Sequence, residues 1–440
     1  MIKRKTIAVV GSGIAGISAA WGLDPRFKII LLEQSSRLGG HTHTHSLNIN
    51  NNDIDVDSGF IVFNKPNYPL FIKWLKELNV DWTKSDMSFS FSLDDGGFEW
   101  SGKSLSAVFS QKSNLYSPRF FYMLYEINRF NKLSKKIFFN PKIKNNLSIK
   151  EFLILNKFGK EFCNYYLYPM ASAIWSTPEL KILDFPAKNL INFFYNHGLL
   201  SLSNHFEWYS IKGGSKTYID KFLNNLKMKK RDIDIKINTQ VKKIDILKNK
   251  ELTEGIKILG FNNKHKSHFE IEVDGVVLAC HSSQSAEIVG KNQPSHSILN
   301  KIKYHKNTAV LHSDDSLMPY RKKVWSAWNY IATTTDKDSA SSLTVTYWMN
   351  ALQKLNTHTN IFVTLNADQY IRKDKIFKKM TYEHPLFDFN AIQAQSELKN
   401  IQGLNNQWFA GSWLGYGFHE DGFASGRKIA EIVNKQFLNS

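Results

Sequence analysis

Thr6-Ile7-Ala8-Val9-Val10-Gly11-Ser12-Gly13-Ile14-Ala15-Gly16 decides the reading of this chain, because an apolar strand pattern runs directly into three glycines spaced G-x-G-x-x-G. A helical run, Ile17 to Leu23, follows, and a second strand pattern, Phe27 to Leu32, ends at Glu33. In a dinucleotide-binding fold such glycines permit a tight turn, a close approach of main chain to a pyrophosphate, and close packing of helix on strand. The helix N-terminus adds unpaired amide donors. Gly11, Gly13, Ile14, Ala15 and Gly16 are therefore expected to hold a cofactor, with Glu33, about twenty residues on, accepting the adenosine ribose hydroxyls. A basic residue in place of Glu33 would have pointed to a 2′-phosphate, so NADP is disfavoured.

What separates FAD from NAD comes next. Glu33, Arg37, Gly39 and Gly40 are spaced as E-x3-R-x-G-G, with Gln34 beside the acid. Paired glycines allow another close approach of backbone to phosphate, and arginine supplies a bidentate phosphate partner. A simple NAD dehydrogenase has no use for this second element.

These residues resemble the flavin-containing amine oxidase and phytoene desaturase superfamily, and the resemblance continues to the C-terminus. Asp57-Ser58-Gly59-Phe60 is similar to the strand end after the paired glycines in that superfamily, and Gly213-Gly214 to its central diglycine. Val241, in a strand pattern from Ile235 to Ile244, resembles the valine whose backbone meets the adenine. Asp274-Gly275-Val276-Val277-Leu278-Ala279-Cys280 resembles the D-x-V-V-x-A strand. Trp408-Phe409-Ala410-Gly411-Ser412-Trp413 and Glu420-Asp421-Gly422-Phe423-Ala424-Ser425-Gly426 look like the closing flavin motif. The resemblance implies an α/β fold: a Rossmann-like, doubly wound FAD-binding domain of the glutathione-reductase type, amine-oxidase-like, with a second α+β substrate domain. It further implies cofactor contacts from Gln34, His41, Val241, Ala279, Gly411, Ser412, Glu420, Asp421, Gly422 and Phe423.

A narrower match spans almost the whole chain. Gly39-Gly40-His41-Thr42-His43-Thr44, Ala173-Ile174-Trp175-Ser176-Thr177-Pro178, Thr346-Tyr347-Trp348-Met349-Asn350 and Gly417-Phe418-His419-Glu420-Asp421-Gly422 resemble a bacterial group of NAD/FAD-binding, amine-oxidase-like proteins. Genes of that group often neighbour those of cyclopropane fatty acyl synthases, which implies a lipid-related substrate by association alone.

Length and composition agree with two domains. At 440 residues the chain exceeds what one core usually fills, and 42% hydrophobic content suffices to bury two. The motif positions suggest a discontinuous FAD domain from 1–75, 205–290 and 395–440, with 76–204 and 291–394 forming the substrate domain. Residues 76–204 read mostly helical, as in Phe71 to Leu78 and Ser148 to Phe158. Strand-like runs at Thr308 to His312, Leu343 to Trp348 and Ile361 to Leu365 predict a sheet backing the active site.

Cys163 and Cys280 are the only cysteines, far apart in apolar surroundings, so neither a disulfide framework nor a cysteine-rich metal site is implied. The start Met1-Ile2-Lys3-Arg4-Lys5 leads into five residues of strand rather than a secretory h-region, and no apolar run reaches about eighteen residues. A cytoplasmic protein is expected, free or peripheral to the inner membrane face.

The net charge of +18 is uneven: residues 101 to 160 hold twelve Lys or Arg against two acids, Glu126 and Glu151, and are rich in Phe and Tyr. No RNA- or DNA-module signature accompanies them, so nucleic acid is not the expected partner. Two readings stand for Pro118 to Phe138: an amphipathic helix on anionic lipid headgroups, or a substrate-domain helix with a solvated basic face.

Flavin-dependent oxidation needs a substrate C–H held near N5 in a dry site, and a group to steer protons. The resemblance implies a strand residue holding a water at N5, usually lysine, and His312 at the end of Ala309-Val310-Leu311-His312 is expected there. It would hold that water or titrate as a base; the alternative is a strand-end histidine bonded to backbone. Tyr416, Phe418 and Trp175 are candidates to frame the substrate, although the paired tyrosines of amine oxidases are not clearly reproduced. That departure favours an apolar chain over an amine. His41, His43 and His45 alternate, as metal ligands on a strand would, but no acid cluster accompanies them and no metal is expected. His41, where relatives carry arginine, is expected at the cofactor.

The sequence thus reads as a non-covalent FAD-dependent oxidoreductase acting on a small-molecule or lipid substrate, plausibly an acyl chain or isoprenoid, by hydride transfer to or from N5. Two alternatives remain: an amine oxidase producing peroxide, and a flavin-bound accessory subunit of a lipid-modifying enzyme. Oligomeric state is open.

Overall fold

A computed structural model describes residues 4–140, 147–201, 206–249, 252–333 and 344–438. The expected strand start Leu343, the basic residues Lys142 and Lys144, and Met1-Ile2-Lys3 lie outside these residues.

The strand Thr6–Val10 and the strand Lys28–Leu32 pair in parallel, as their continuous apolar runs require of strands covered on both faces. Ile233–Lys236 adds on one side, and Gly275–Leu278 and then Gln407–Phe409 on the other. Five parallel strands collected from distant parts of the chain therefore make one sheet. The helix Ile14–Gly22 springs from the glycine turn and packs on the closing helix His419–Leu438. Gly426 makes the approach possible, since a Cβ there would lie 2.1 Å from the Ala15 carbonyl oxygen. The expected single strand from Ile235 to Ile244 is two strands: Asn238 takes φ 55°, and the chain restarts as Thr239–Asn249 in an antiparallel meander with Leu252–Asn262 and Ser267–Val273.

A second, seven-stranded sheet runs in the order Ile376–Pro385, Tyr304–His312, Phe362–Leu365, Val345–Trp348, Trp328–Ala332, Phe89–Leu93 and Phe98–Ser101. All its pairings are antiparallel except that of Trp328–Ala332 with Phe89–Leu93. The segment 76–204 is thus less helical than its composition suggests: Trp82–Ser85, Phe89–Leu93 and Phe98–Ser101 are strands, each too short for period-2 alternation to stand out. The helices Pro118–Phe138, Ile149–Leu155, Tyr168–Trp175 and Ala187–Asn196 do follow the expected pattern. Their apolar faces and this sheet share the largest buried cluster, which includes Phe91, Phe130, Phe162, Phe194 and Val345. None of the described helices is long and apolar enough to cross a membrane.

Candidate active site

One cavity of about 830 Å³ runs from the carboxyl edge of the parallel sheet to the second sheet and its helices. It begins at the glycine turn. Gly11 takes φ +98°, and a Cβ there would strike the Ala279 carbonyl oxygen at 2.8 Å, so only glycine closes this turn. A Cβ on Gly13, by contrast, would meet nothing within 4 Å, although Gly13 lines the cavity. That open space above a helix N-terminus is where a pyrophosphate fits. Gly16 does not reach the cavity; it lets helix and turn pack, a Cβ there lying 1.9 Å from the Gly11 carbonyl oxygen. Ile14 and Ala15 line the wall, as do Gln34, Val241 and Ala279.

Glu33 ends the second strand of the sheet with its carboxylate fixed from both sides. One oxygen accepts the Ser12 N–H at 2.9 Å and the Ser12 hydroxyl at 2.6 Å, and the other accepts the Ser35 N–H at 2.8 Å. Held this way at the cavity wall, it can take ribose hydroxyls without reorganising. Arg37 also lines the cavity, but its guanidinium donates to the Thr42 and Gly40 carbonyls at 2.8 and 2.7 Å. Its first effect is therefore to set the Gly39-Gly40 loop.

His41 follows that loop. Its Nε2 is buried with no hydrogen-bond partner among the described residues, and its ring lies 5.2 Å from that of Tyr382 and 5.4 Å from that of His384. Burial first, and the neighbouring imidazoles second, hold its pKa well below the usual histidine value. His41 lines the cavity, and its neutral, unpaired Nε2, buried beside it, is a polar atom without a partner among the described residues. His43 and His45 have partners instead: His43 Nδ1 meets the Tyr382 hydroxyl at 2.9 Å, and His45 Nε2 the Ser58 hydroxyl at 2.8 Å. Among the described residues, no group of three or more His, Cys, Asp or Glu is arranged to hold a metal ion.

At the far end the closing motif divides. Gly411 and Ser412 line the cavity, and so does His419, whose ring stacks on Phe60 at 3.7 Å. Glu420, Asp421, Gly422 and Phe423 do not line it. Glu420 accepts the N–H groups of Leu70 and Phe71, capping the helix Pro69–Glu77. Asp421 accepts the N–H groups of Tyr416 and Phe418 at 3.1 and 2.9 Å and so shapes the turn that presents these two rings. Gly422 packs on Ile14 and Phe423 on Trp74, with ring centroids 5.2 Å apart. These four residues build the platform under the site, where the resemblance implied direct cofactor contact.

Beyond the turn lies an aromatic box. Trp175 donates its indole N–H to the Tyr416 carbonyl at 3.1 Å; Phe193 stands 4.7 Å from Trp175 and 4.7 Å from Phe418, centroid to centroid, and 3.7 Å from His197. The structure thus brings Trp175, Tyr416 and Phe418 together along the cavity. Phe193 and His197 were not singled out by the sequence, because nothing marks one face of a Phe- and Asn-rich helix as cavity-facing.

His312 is placed elsewhere. It is fully buried, with Nε2 2.7 Å from the Thr364 hydroxyl and Nδ1 accepting the Asp314 N–H at 3.1 Å, and it does not line the cavity. The pairing of the strand Tyr304–His312 explains the correction: Leu365, opposite Ala309, lines the cavity, whereas His312 turns to Thr364 and Phe362, which do not. Burial lowers its pKa to about 4. The group this strand does bring to the cavity is Lys306, 3.6 Å from Glu383, which in turn meets His281 Nδ1 at 3.3 Å.

A parallel dinucleotide sheet with its pinned acid, a second glycine loop and a large cavity leading to an aromatic box defines an FAD-dependent oxidoreductase. The chain belongs to the flavin containing amine oxidoreductase family, whose model matches residues 14–351. Solved structures agree on the fold over nearly the full length. A CLA-producing fatty acid isomerase from P. acnes is 15% identical, with 99% of each chain covered and a TM-score of 0.66. Putrescine oxidase bound to putrescine is 14% identical, with 98% of each covered and a TM-score of 0.65. Cyclohexylamine oxidase from Brevibacterium oxydans is 11% identical, with 99% of this chain and 100% of that one covered and a TM-score of 0.66. A sequence comparison with curated proteins finds no match.

Proposed function

We propose that this flavoenzyme oxidises, or adds hydride to, an apolar substrate such as a lipid acyl chain or isoprenoid. One observation carries the reading. Among the described residues, the cavity wall between Met170 and Trp208, which includes Ile174, Trp175, Phe193 and Leu199, contributes no carboxylate and no ammonium. His197, the histidine of this wall among the described residues, is kept neutral at pH 7, since burial draws its pKa down to about 4. A cation brought here would lose hydration without gaining a counter-charge, whereas a hydrocarbon chain gains burial. Fold does not choose between these substrates, since the same fold serves a fatty acid isomerase and amine oxidases.

FAD bound along the cavity would supply the hydride acceptor or donor. The protein's part is then to bind and to keep water out. Ser12 and Ser35 orient Glu33 for the ribose; His41 offers a neutral nitrogen; Asp421 holds the turn of Tyr416 and Phe418; and the box excludes water. Lys306, Glu383 and His281 form a linked set of groups within the cavity able to pass a proton.

The test is anaerobic loss of the 450 nm flavin band against unsaturated fatty acids, isoprenoids and a panel of amines, followed by peroxide assay in air. Bleaching by the apolar compounds alone supports the reading. Rapid bleaching by amines with peroxide release overturns it in favour of an amine oxidase, and no turnover without a partner protein and lipid favours an accessory subunit. A cytoplasmic location and a small-molecule substrate belong to the same proposal.

A further inference from the structure

We propose that the outer face of the helix Pro118–Phe138, with the loops beside it, docks the enzyme on an anionic bilayer surface. Tyr122, Tyr125, Arg129, Lys132 and Lys136 recur every three or four residues, with Phe121 four before Tyr125, so the six share one stripe of the helix, opposite the buried stripe of Phe120, Met123, Ile127 and Phe130. Aromatics occupy its N-terminal turns and bases its C-terminal turns. Arg129 reaches across to the Asn156 and Lys157 carbonyls, which joins this stripe to the end of the helix Ile149–Leu155, where Ile154 and Leu155 are exposed.

Two observations set this surface apart from an ordinary solvated helix. Among the described residues, half of the exposed large hydrophobic side chains lie between Leu105 and Leu155, among them Leu105 at 80% and Tyr116 at 85% exposure. Water is a poor solvent for such a concentration of apolar area. The negative charge of the same stretch is also engaged. Glu126 is fully buried, accepting from Arg129 and the Gly159 N–H, and Glu151, though exposed, is tied to the Ser148 N–H and hydroxyl as the cap of its own helix. Among the described residues, Lys132, Lys135 and Lys136 have no carboxylate partner. A protein partner would need both charge signs or a flat apolar centre. Insertable Phe and Tyr rings beside unpaired lysines match instead the acyl boundary and phosphate layer of an anionic membrane. The stripe lies on the opposite side of its helix from the cluster that packs toward the cavity, so the inference is independent of the substrate assignment.

The experiment is co-sedimentation of the flavin-loaded protein with vesicles of phosphatidylcholine alone or with about 30% phosphatidylglycerol, in low and high salt. Partitioning onto the anionic vesicles at least about tenfold stronger, and falling as salt rises, is expected. Phe121→Ser/Tyr122→Ser/Tyr125→Ser and Lys132→Glu/Lys136→Glu should each weaken it by about tenfold or more while keeping the 450 nm absorbance. Lys227→Glu/Lys230→Glu, exposed at the end of a different helix, should leave it unchanged. Equal binding to both vesicle types overturns the proposal, as does equal loss in the Lys227/Lys230 variant. It is also overturned if neither vesicle binds while RNA or a stoichiometric protein is retained through the same six side chains.

Discussion

Asp57 and Ser215, 158 positions apart in the chain, are joined through both the N–H and the hydroxyl of the serine, at 2.9 and 2.7 Å. The same carboxylate takes the Thr44 hydroxyl and the Gln353 amide at 2.8 Å. One buried acid therefore ties the strand Asn52–Asp57 to the turn after Gly213-Gly214 and to the short helix Met349–Gln353 that follows a strand of the second sheet. Asp57→Ala strands these donors in a buried site and is expected to cost about 3 kcal/mol. Ser215→Ala, which keeps the N–H contact, should cost about 1 kcal/mol. Urea unfolding of the two variants measures the difference, and near-equal losses would deny Asp57 its central place.

The glycine turn allows fold and cofactor binding to be separated. Gly11→Ala places a side chain at φ +98° against the Ala279 carbonyl and should destabilise the protein itself. A methyl group on Gly13 meets nothing in the protein, so Gly13→Ala should fold normally yet bind FAD at least about tenfold more weakly, a loss of about 1.4 kcal/mol. Thermal melting of the apoproteins together with FAD titration distinguishes them. Unaltered FAD affinity in Gly13→Ala would mean that the cofactor does not approach this turn.

These two glycines also show which part of the site was legible in sequence. Gly11, Gly13 and Glu33 could be read because the turn, helix and acid they require are local, within one strand–helix–strand unit. The roles of Glu420 and Asp421 could not, because their partners, Leu70, Phe71, Tyr416 and Phe418, are fixed by how a helix and a turn pack. His312 was misplaced for another reason: alternation groups the residues of one face but does not say which face meets the cavity, and His312 shares its face with Thr364 and Phe362 rather than with Leu365. The pairing of Lys306 with Glu383 depends on the register of Tyr304–His312 against Ile376–Pro385, which no local pattern encodes.

His312 should matter for stability and not for chemistry. His312→Ala removes the acceptor of the Asp314 N–H and the partner of Thr364 and is expected to cost about 2 kcal/mol, with the rate of anaerobic flavin reduction unchanged. Stopped-flow absorbance at 450 nm tests it. A drop of tenfold or more in that rate, with FAD still bound, would return His312 to the mechanism.

The aromatic box should govern affinity for the apolar substrate. Phe418→Ala removes a ring that contacts Phe193 and Trp175, and about 1–3 kcal/mol of transferred apolar area should appear as a higher KM, with kcat less affected. Steady-state kinetics over a series of chain lengths measures it, and a KM that does not move would put the substrate elsewhere in the cavity.

Acid should weaken the fold through its neutral histidines. Burial lowers the pKa of His312 to about 4 and that of His419 to about 3, and both side chains are buried. The unfolded chain takes up protons on these residues below about pH 6.5, whereas the folded chain does not, so their contribution is fully present above that pH and is lost on acidification. Between pH 6.5 and 5 each forfeits up to about 2 kcal/mol. His197 and His384, both lowered to about 4, act in the same direction. Asp57 and Asp421 oppose them: burial raises each carboxyl to about 6, so each returns up to about 1.4 kcal/mol between pH 6 and 5. The histidines prevail in sum, and the melting temperature of the flavin-loaded protein should fall from pH 7 to pH 5, most steeply below 6.5. His312→Gln/His419→Gln should flatten that slope; a melting temperature that holds or rises toward pH 5 would mean these imidazoles are protonated within the fold.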